Sequence, residues 1–538
     1  MVSVNTAGVY RSEFIIALSC AVGTDSLTVR DVITEELKKY NYQCVPIKIS
    51  KALLEPLEPQ INTYNSFKRT NVLMDLGNTL RRDSHDNAIL AKGAIHQIQN
   101  FRKGDNQHSN DGTEPIQSTV YIIDSLKHPD EVKILREVYT DGFYLFAINE
   151  DEDSRLQNLI DGKNIGKEDA QKLIDRDIDE APSFGQKTSR VFELADFHLS
   201  LNGWRNINKS IDTNSNNIKK KKCVTQARTL VIAGQIKRVI ELMFGNPFIT
   251  PTFDEYAMFM AYSSGLRSAD LSRQVGAVIA LPNNEIVAMG ANDCPKYGGG
   301  QYWQHYDTNT HQYVDDPNGR DYMIGYDSNK EEFFAIVDEI VSIFDYKNDE
   351  NGVKERAEAR RRILNSRLKY LTEYGRPVHA EMAAILSCAR TGISLQGATL
   401  YCTTFPCHNC AKHIISAGIS RVVYIEPYPK SKSVELYPES IGLSSVFIEG
   451  SNDGDRCGKN MVQFQEFVGI GPRRFYDLFS MQLSSGYPLI RKGKDGRVID
   501  WTCKNAELRC IMAPTSYFER ETAMITNYLA YLDTQQNV

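Results

Sequence analysis

The segments His379-Ala380-Glu381 and Pro406-Cys407-His408-Asn409-Cys410 constrain this chain more than any other feature. Both open stretches with helical periodicity, and the second follows the apolar run at 398–405. Cys407 and Cys410 stand at i and i+3, so one helical turn sets both sulfurs on the same side. A helix N-terminus favours thiolates through its orphan N–H groups and its macrodipole. Pro406 fits there because its missing N–H costs little. His379 adds a neutral imidazole. Three protein ligands leave the fourth tetrahedral position of a zinc ion open to water, as in a catalytic rather than a structural site. Zinc lowers the pKa of such a water from 15.7 toward ~7. Glu381, just past His379, is placed to reach that water without ligating the metal, and so to act as general acid and base. His408 and His413 read as surface or packing residues, and Cys388 and Cys402 as core thiols. Cys294, Cys457, Cys503 and Cys510 could form a second zinc site, though their irregular spacing argues against it.

These segments lie in the second of two expected α/β blocks, since 538 residues exceed one hydrophobic core. Strands expected at 275–281, 285–290, 398–404, 421–425 and 445–448 alternate with helices at 254–266, 379–390, 408–417 and 433–441. A long insertion, 293–377, carries Gly298-Gly-Gly-Gln-Tyr-Trp303 and two charged helical stretches. In the first block, the apolar run Phe14–Leu18, the small-residue turn Ser19–Ser26 and apolar positions Val29, Val32, Ile33 and Leu37 read as strand, loop and helix. Runs at 43–49, 119–124 and 143–148 read as further parallel strands of a doubly wound domain. Ser210–Lys222 is expected to be a flexible loop, and Thr225–Phe244 a helix ended by Asn246-Pro247. The expected division is 1–245 and 246–538.

No run of apolar residues is long enough to mark a membrane span. Met1–Thr6 lacks a basic stretch leading into an apolar one, so a cytoplasmic location is expected. Eleven cysteines, an odd number thinly spread, are not a disulfide framework. A net charge of −6 argues against a long nucleic acid as partner. The basic runs Lys219–Lys222 and Arg360–Arg362 read as a solvated loop and a solvated helix face.

Residues 251 to about 430 resemble the deoxycytidylate deaminase family. The resemblance is carried by Arg267–Val278, Val378–Ile385 and Phe405–Lys412, and the H-x-E…P-C-x-x-C order is that of zinc nucleobase deaminases. It implies a cytidine-deaminase-like α/β/α sandwich with Zn2+ on His379, Cys407 and Cys410, and Glu381 as the catalytic acid and base. It further implies a free deoxycytidine nucleotide as substrate and a homo-oligomer. Gly290-Ala291-Asn292 resembles the family turn whose Asn meets the sugar, and main-chain atoms near Thr403, Thr404 and Phe405 would meet the ring. The whole chain resembles the bacterial anti-phage branch, through Asp321–Asn329, Glu426–Ser431 and Gly469–Phe475. That implies hydrolytic deamination of dCTP and dCMP to dUTP and dUMP, which depletes a DNA precursor. A deaminase acting on cytosine or adenine in single-stranded DNA or RNA is the alternative. An acidic pI near 6.0 and an insertion beside the site argue against an open basic strand channel.

In the first block, Cys20-Ala21-Val22-Gly23-Thr24-Asp25 takes the place of a phosphate loop but lacks the Gly-Lys-[Ser/Thr] ending. Tyr121–Pro129, Arg155, Arg176-Asp177 and Gly185-Gln186 resemble a nucleotide-kinase core and lid. This implies a P-loop-kinase-like domain with a degenerate Walker A motif. Without the lysine, phosphoryl transfer is not expected. The main-chain N–H groups of Ala21, Val22, Gly23, Thr24 and Asp25 at a helix N-terminus remain a phosphate cradle. A nucleotide effector is therefore the expected partner, with an inert scaffold and an active kinase as alternatives.

Overall fold

The computed structural model describes residues 11–104, 115–178, 180, 184–203, 217–428, 431–444 and 460–511. It divides into two compact units: Met1–Pro251 with Val468–Val538, and Thr252–Phe467.

The first unit is built on β1 (Phe14–Cys20), β2 (Gln43–Lys48), β3 (Thr119–Asp124), β4 (Phe143–Asn149) and β5 (Phe197–Ser200), all parallel in the order β2-β3-β1-β4-β5. Every residue of β1 is buried, because helices cover both faces of a parallel sheet. Phe14, Ile16 and Leu18 share one core with helices Ser26–Lys38 and Asn217–Met243. Ile15 and Ala17 share the other with helices Ile89–Gly104 and Pro129–Tyr139. Each fully buried large apolar side chain contributes roughly 1.5–3 kcal/mol. The chain leaves β1 toward β2 and later toward β4 on its other side, so a crevice opens beyond the carboxyl ends of β1 and β3.

The second unit carries β6 (Gly276–Ala280), β7 (Ile286–Ala291), the insertion hairpin β8 (His305–Asp307) and β9 (Gln312–Val314), β10 (Thr399–Thr404), β11 (Arg421–Glu426), β12 (Ile441–Ser444) and β13 (Val462–Glu466). Its main sheet runs β12-β13-β11-β10-β6-β7, with β6 antiparallel to both neighbours and the rest parallel. Helix Phe253–Gly265, started by a Thr252/Glu255 capping box, covers one face. Helices Ala380–Thr391 and His408–Ser416 cover the other. This is a three-layer α/β/α sandwich. Gly290 lets β7 press on the first of these two helices, since a Cβ there would lie 2.1 Å from the carbonyl oxygen of Ala380.

Three expectations change. The expected second domain, 246–538, loses its C-terminal part to the first unit. β14 (Gly469–Ile470) adds antiparallel to β5, and Ile470, Leu478, Ala506 and Leu508 enter the first unit's core. Arg474 donates to the carbonyl of Phe143 at 2.7 Å, and Tyr144 donates to the carbonyl of Cys510 at 3.1 Å. The expected helix 433–441 ends at Leu436, because Pro438 interrupts it and Ile441 begins β12 beside β13. Part of the expected loop 210–222 is helical, since helix Asn217–Met243 begins within it. The expected strand 445–448 and Cys457 lie outside the described residues.

Candidate metal centre and active site

Two helix starts build the site. His379 is the N-cap of helix Ala380–Thr391, and Cys407 is the N-cap of helix His408–Ser416. Neither side chain makes a capping hydrogen bond, so the imidazole and the thiol stay available. Cys410 lies in the first turn and is fully buried. His379 Nδ1 is 3.3 Å from the sulfur of Cys407 and 3.3 Å from that of Cys410, and the sulfurs are 3.7 Å apart. Sulfurs ~2.3 Å and a nitrogen ~2.0 Å from a tetrahedral zinc stand about 3.8 Å (S to S) and about 3.5 Å (N to S) apart. The spacing therefore fits Zn2+, the metal that this donor set takes. Among the described residues this is the only group of three His, Cys, Asp or Glu with metal-binding spacing.

The electrostatics belong to a coupled cluster. The Cys407 thiol is pushed down to about 4, chiefly by its hydrogen bond with Cys410 and also by His379. Cys410 is held well above the usual thiol range by the same hydrogen bond and by burial. Glu381, in the first turn and 4% exposed, is not among the three ligands. Burial lifts its carboxyl above the ordinary range, with His379 opposing. Burial pushes the Cys402 thiol of β10 well above the usual thiol range, and the charge of Glu381 adds to it.

The end of β10 is pinned. Thr403 Oγ1 accepts from Gly276 N at 3.2 Å, and Thr404 donates to the Glu426 carboxylate at 3.0 Å. Phe405 N donates to the Glu426 carbonyl at 2.8 Å. The same carboxylate receives Arg273 at 3.2 Å. Glu426 braces the segment Thr403–Phe405, yet the sequence reading does not single it out as a site residue; the one available signal is an acid ending a buried apolar strand. Asn292 is 8% exposed and braces its own loop, accepting from Val275 N at 2.7 Å and donating to the Arg273 carbonyl at 2.8 Å. One N–H and one lone pair of its amide remain for a ligand. Cys388 and Cys402 are core thiols. Cys294 belongs to the second unit, whereas Cys503 and Cys510 belong to the first.

In the first unit, Ala21–Thr24 line a cavity. Two of the loop's amides are already engaged by carboxylates: Val22 N donates to Asp177 at 2.7 Å, and Asp25 N to Glu150 at 3.0 Å. The Asp25 side chain accepts from Thr28 N and caps helix Ser26–Lys38. Lys127 reaches back to the Cys20 carbonyl at 2.7 Å and to Asp177 at 2.8 Å.

Comparison with known proteins bears on the second unit. Residues 251–426 match the family described as the cytidine and deoxycytidylate deaminase zinc-binding region. The deoxycytidylate deaminase of Enterobacteria phage T2 is 53% identical over 55 residues, 10% of this chain and 29% of that protein. The probable deoxycytidylate deaminase of Drosophila melanogaster is 31% identical over 173 residues, 32% of this chain and 59% of that protein. The chain thus spans well under two thirds of the length of these relatives. The crystal structure of the dCMP deaminase of cyanophage S-TIM5 in apo form superposes on 41% of this chain and 100% of that one, at 16% identity and a TM-score of 0.21.

Proposed function

We propose that the chain deaminates free deoxycytidine nucleotides, dCMP and dCTP, to deoxyuridine nucleotides with release of ammonia. The observation that carries the reading is three convergent metal donors with a buried, non-ligating Glu381 beside them. A zinc ion on His379, Cys407 and Cys410 supplies Lewis-acid activation of water. Glu381 takes the proton of the water that attacks C4, passes it to ring N3, and then returns a proton to the departing amine. Water replaces the amino group, and no other reactant is consumed. A carboxyl held above its usual range is suited to both halves of that transfer. The pinned segment Thr403–Phe405 offers main-chain atoms to the ring, and Asn292 its remaining amide valences to the sugar.

The same reading makes the first unit the place where a nucleotide effector restrains or releases the enzyme, and makes dCTP depletion an anti-phage defence. Purified protein incubated with dCMP, dCTP and a single-stranded oligonucleotide, followed by mass spectrometry, tests the substrate class. Conversion of the free nucleotides alone supports the proposal. Conversion of the oligonucleotide alone replaces it with a polynucleotide deaminase. In infected cells, loss of dCTP with the wild type and not with Glu381→Ala supports the defence role; protection with level cytidine pools sinks it.

A further inference from the structure

The crevice beyond β1 and β3 holds a cavity of about 500 Å³, inside the ~300–1,000 Å³ range of small-molecule sites. Its wall divides chemically. One part is apolar and includes Ile49, Leu73 and Met74. The other is cationic: Lys48, Lys51, Arg69, Arg81, Lys127 and Lys163, against only Glu55 and Asp124. Arg69 is taken by Glu55, Arg81 by Glu131 and Lys127 by Asp177. Lys48, Lys51 and Lys163 have no ion pair among the described residues. All three of these side chains are exposed to solvent while lining the cavity. Three buried polar atoms on the same wall have no partner: Thr24 Oγ1, Arg81 Nε and Gln186 Oε1. Gln186 is only 6% exposed. Unpartnered buried polar atoms and uncompensated like charges both cost folding free energy unless a ligand satisfies them.

We propose that this cavity binds a mononucleotide, its phosphate on Lys48, Lys51 and Lys163, its base against the apolar wall with Gln186 reading the base edge. An amide side chain offers both a donor and an acceptor, which suits a nucleobase edge. A phosphate monoester carries close to two negative charges, matching unpaired ammonium groups. The proposal rests on reading the first unit as a nucleotide-binding domain, but it puts the phosphate on the lysines rather than on the amides of Val22 and Asp25, in a cavity that the loop also lines. The loop amides at Val22 and Asp25 serve Asp177 and Glu150, so the cavity binds a nucleotide without receiving a donor triphosphate on the loop and without phosphoryl transfer.

The test is calorimetric titration of the full chain, in a Glu381→Ala background that prevents turnover, with dCMP, dTMP, AMP, GMP and inorganic phosphate. For at least one nucleotide, Lys48→Ala combined with Lys163→Ala is expected to weaken binding roughly tenfold or more, because charge-assisted contacts are lost. The ligand-free melting temperature is expected to hold or rise, since like-charge repulsion is relieved. Inorganic phosphate alone is expected to compete weakly. Nucleotide binding that ignores the two lysines but disappears on Gly23→Val, where a Cβ meets the Arg155 carbonyl at 2.7 Å, overturns this placement and keeps the nucleotide-domain reading. Absence of any nucleotide binding sensitive to the first unit overturns both. Loop-dependent phosphoryl transfer from ATP overturns the claim that the loop is closed.

Discussion

Helix Ser26–Lys38 of the first unit and helix His408–Ser416 of the second both begin just past the carboxyl end of a central strand, and they use that place in opposite ways. In the first, the N-cap Asp25 closes its own helix, and Asp177 and Glu150 take two of the loop amides, Val22 N and Asp25 N. In the second, the N-cap Cys407 caps nothing, and its sulfur turns to His379 and Cys410 instead. A helix start attracts negative charge in either case. The fold decides whether that charge comes from inside or from a ligand. An internal carboxylate is always present at high effective concentration, so a site filled by one is silent toward external anions. A site whose cap side chains are left free is committed to something that arrives.

The comparison breaks most sharply if the second helix start needs no metal. Cys407→Ser and Cys410→Ser are each expected to remove the zinc, lowering metal analysis from at least one zinc per chain to none at this site. Deamination of dCMP should fall below detection, because the ligands that hold the catalytic ion are gone. Unfolding of the first unit should not change. Stoichiometric zinc with retained turnover in either variant means the ligand set is wrong.

Glu381→Ala is the next largest effect. Zinc and fold are expected to persist, while kcat falls by roughly 10²- to 10⁴-fold, the usual loss for a positioned acid and base. Because Glu381 serves several proton transfers, the upper end is expected. Single-turnover kinetics with dCMP checks this, and a rate within tenfold of the wild type removes Glu381 from the role.

The second site was legible in the sequence because its chemistry is local. His379, Glu381, Cys407 and Cys410 lie in two short segments, and helical geometry fixes what each can face. The strand runs were legible as well, since β1, β3 and β4 are unbroken apolar stretches in a sheet covered on both faces. What escaped depends on distant partners. Nothing local in Gly469-Ile470 says that it pairs with Phe197-His198, so a division by sequence position alone leaves this segment with the second block. The stretch 433–441 carries helical apolar periodicity, yet with Pro438 inside it only Ser433–Leu436 is helical. Glu426 became meaningful only once Thr404 and Arg273 were seen to converge on it. The closed loop of the first unit is the same kind of miss, because Asp177 lies far along the chain from Val22.

Opening that loop sharpens the comparison. Asp177 is fully buried and holds both Val22 N and Lys127, whose side chain is 16% exposed. Asp177→Ala leaves a nearly buried ammonium unpaired, which costs ~3–5 kcal/mol in fully buried pairs; the partial exposure of Lys127 places the expected loss at about 3 kcal/mol. Asp177→Asn keeps an acceptor for Val22 N and should recover part of it. Urea denaturation of the first unit reads both. A loss under about 0.5 kcal/mol for the alanine variant, the scale of an ordinary surface change, would mean that the internal carboxylate is not what holds the loop.

The smallest effect separates the units by pH. His198 on β5 is buried in the first unit, and desolvation pushes its pKa down to about 4, with Asp196 opposing. The folded chain therefore keeps this imidazole neutral, while the unfolded chain protonates it near the ordinary value of ~6.5. Below that value the unfolded state binds more protons, so stability falls with pH until the folded group also protonates near 4. Each unit of pH in that window is worth ~1.4 kcal/mol, so lowering pH from 7 to 5 should take about 2 kcal/mol from the first unit through this group. Urea unfolding at the two pH values, read by hydrogen exchange in β1 and β4, measures it. His198→Asn should flatten the slope by that amount. If the slope in the first unit is the same with and without His198, that imidazole does not govern its acid response; Glu13 and Glu150, which burial raises above their ordinary range, oppose the loss rather than cause it, because the folded state takes up their protons first.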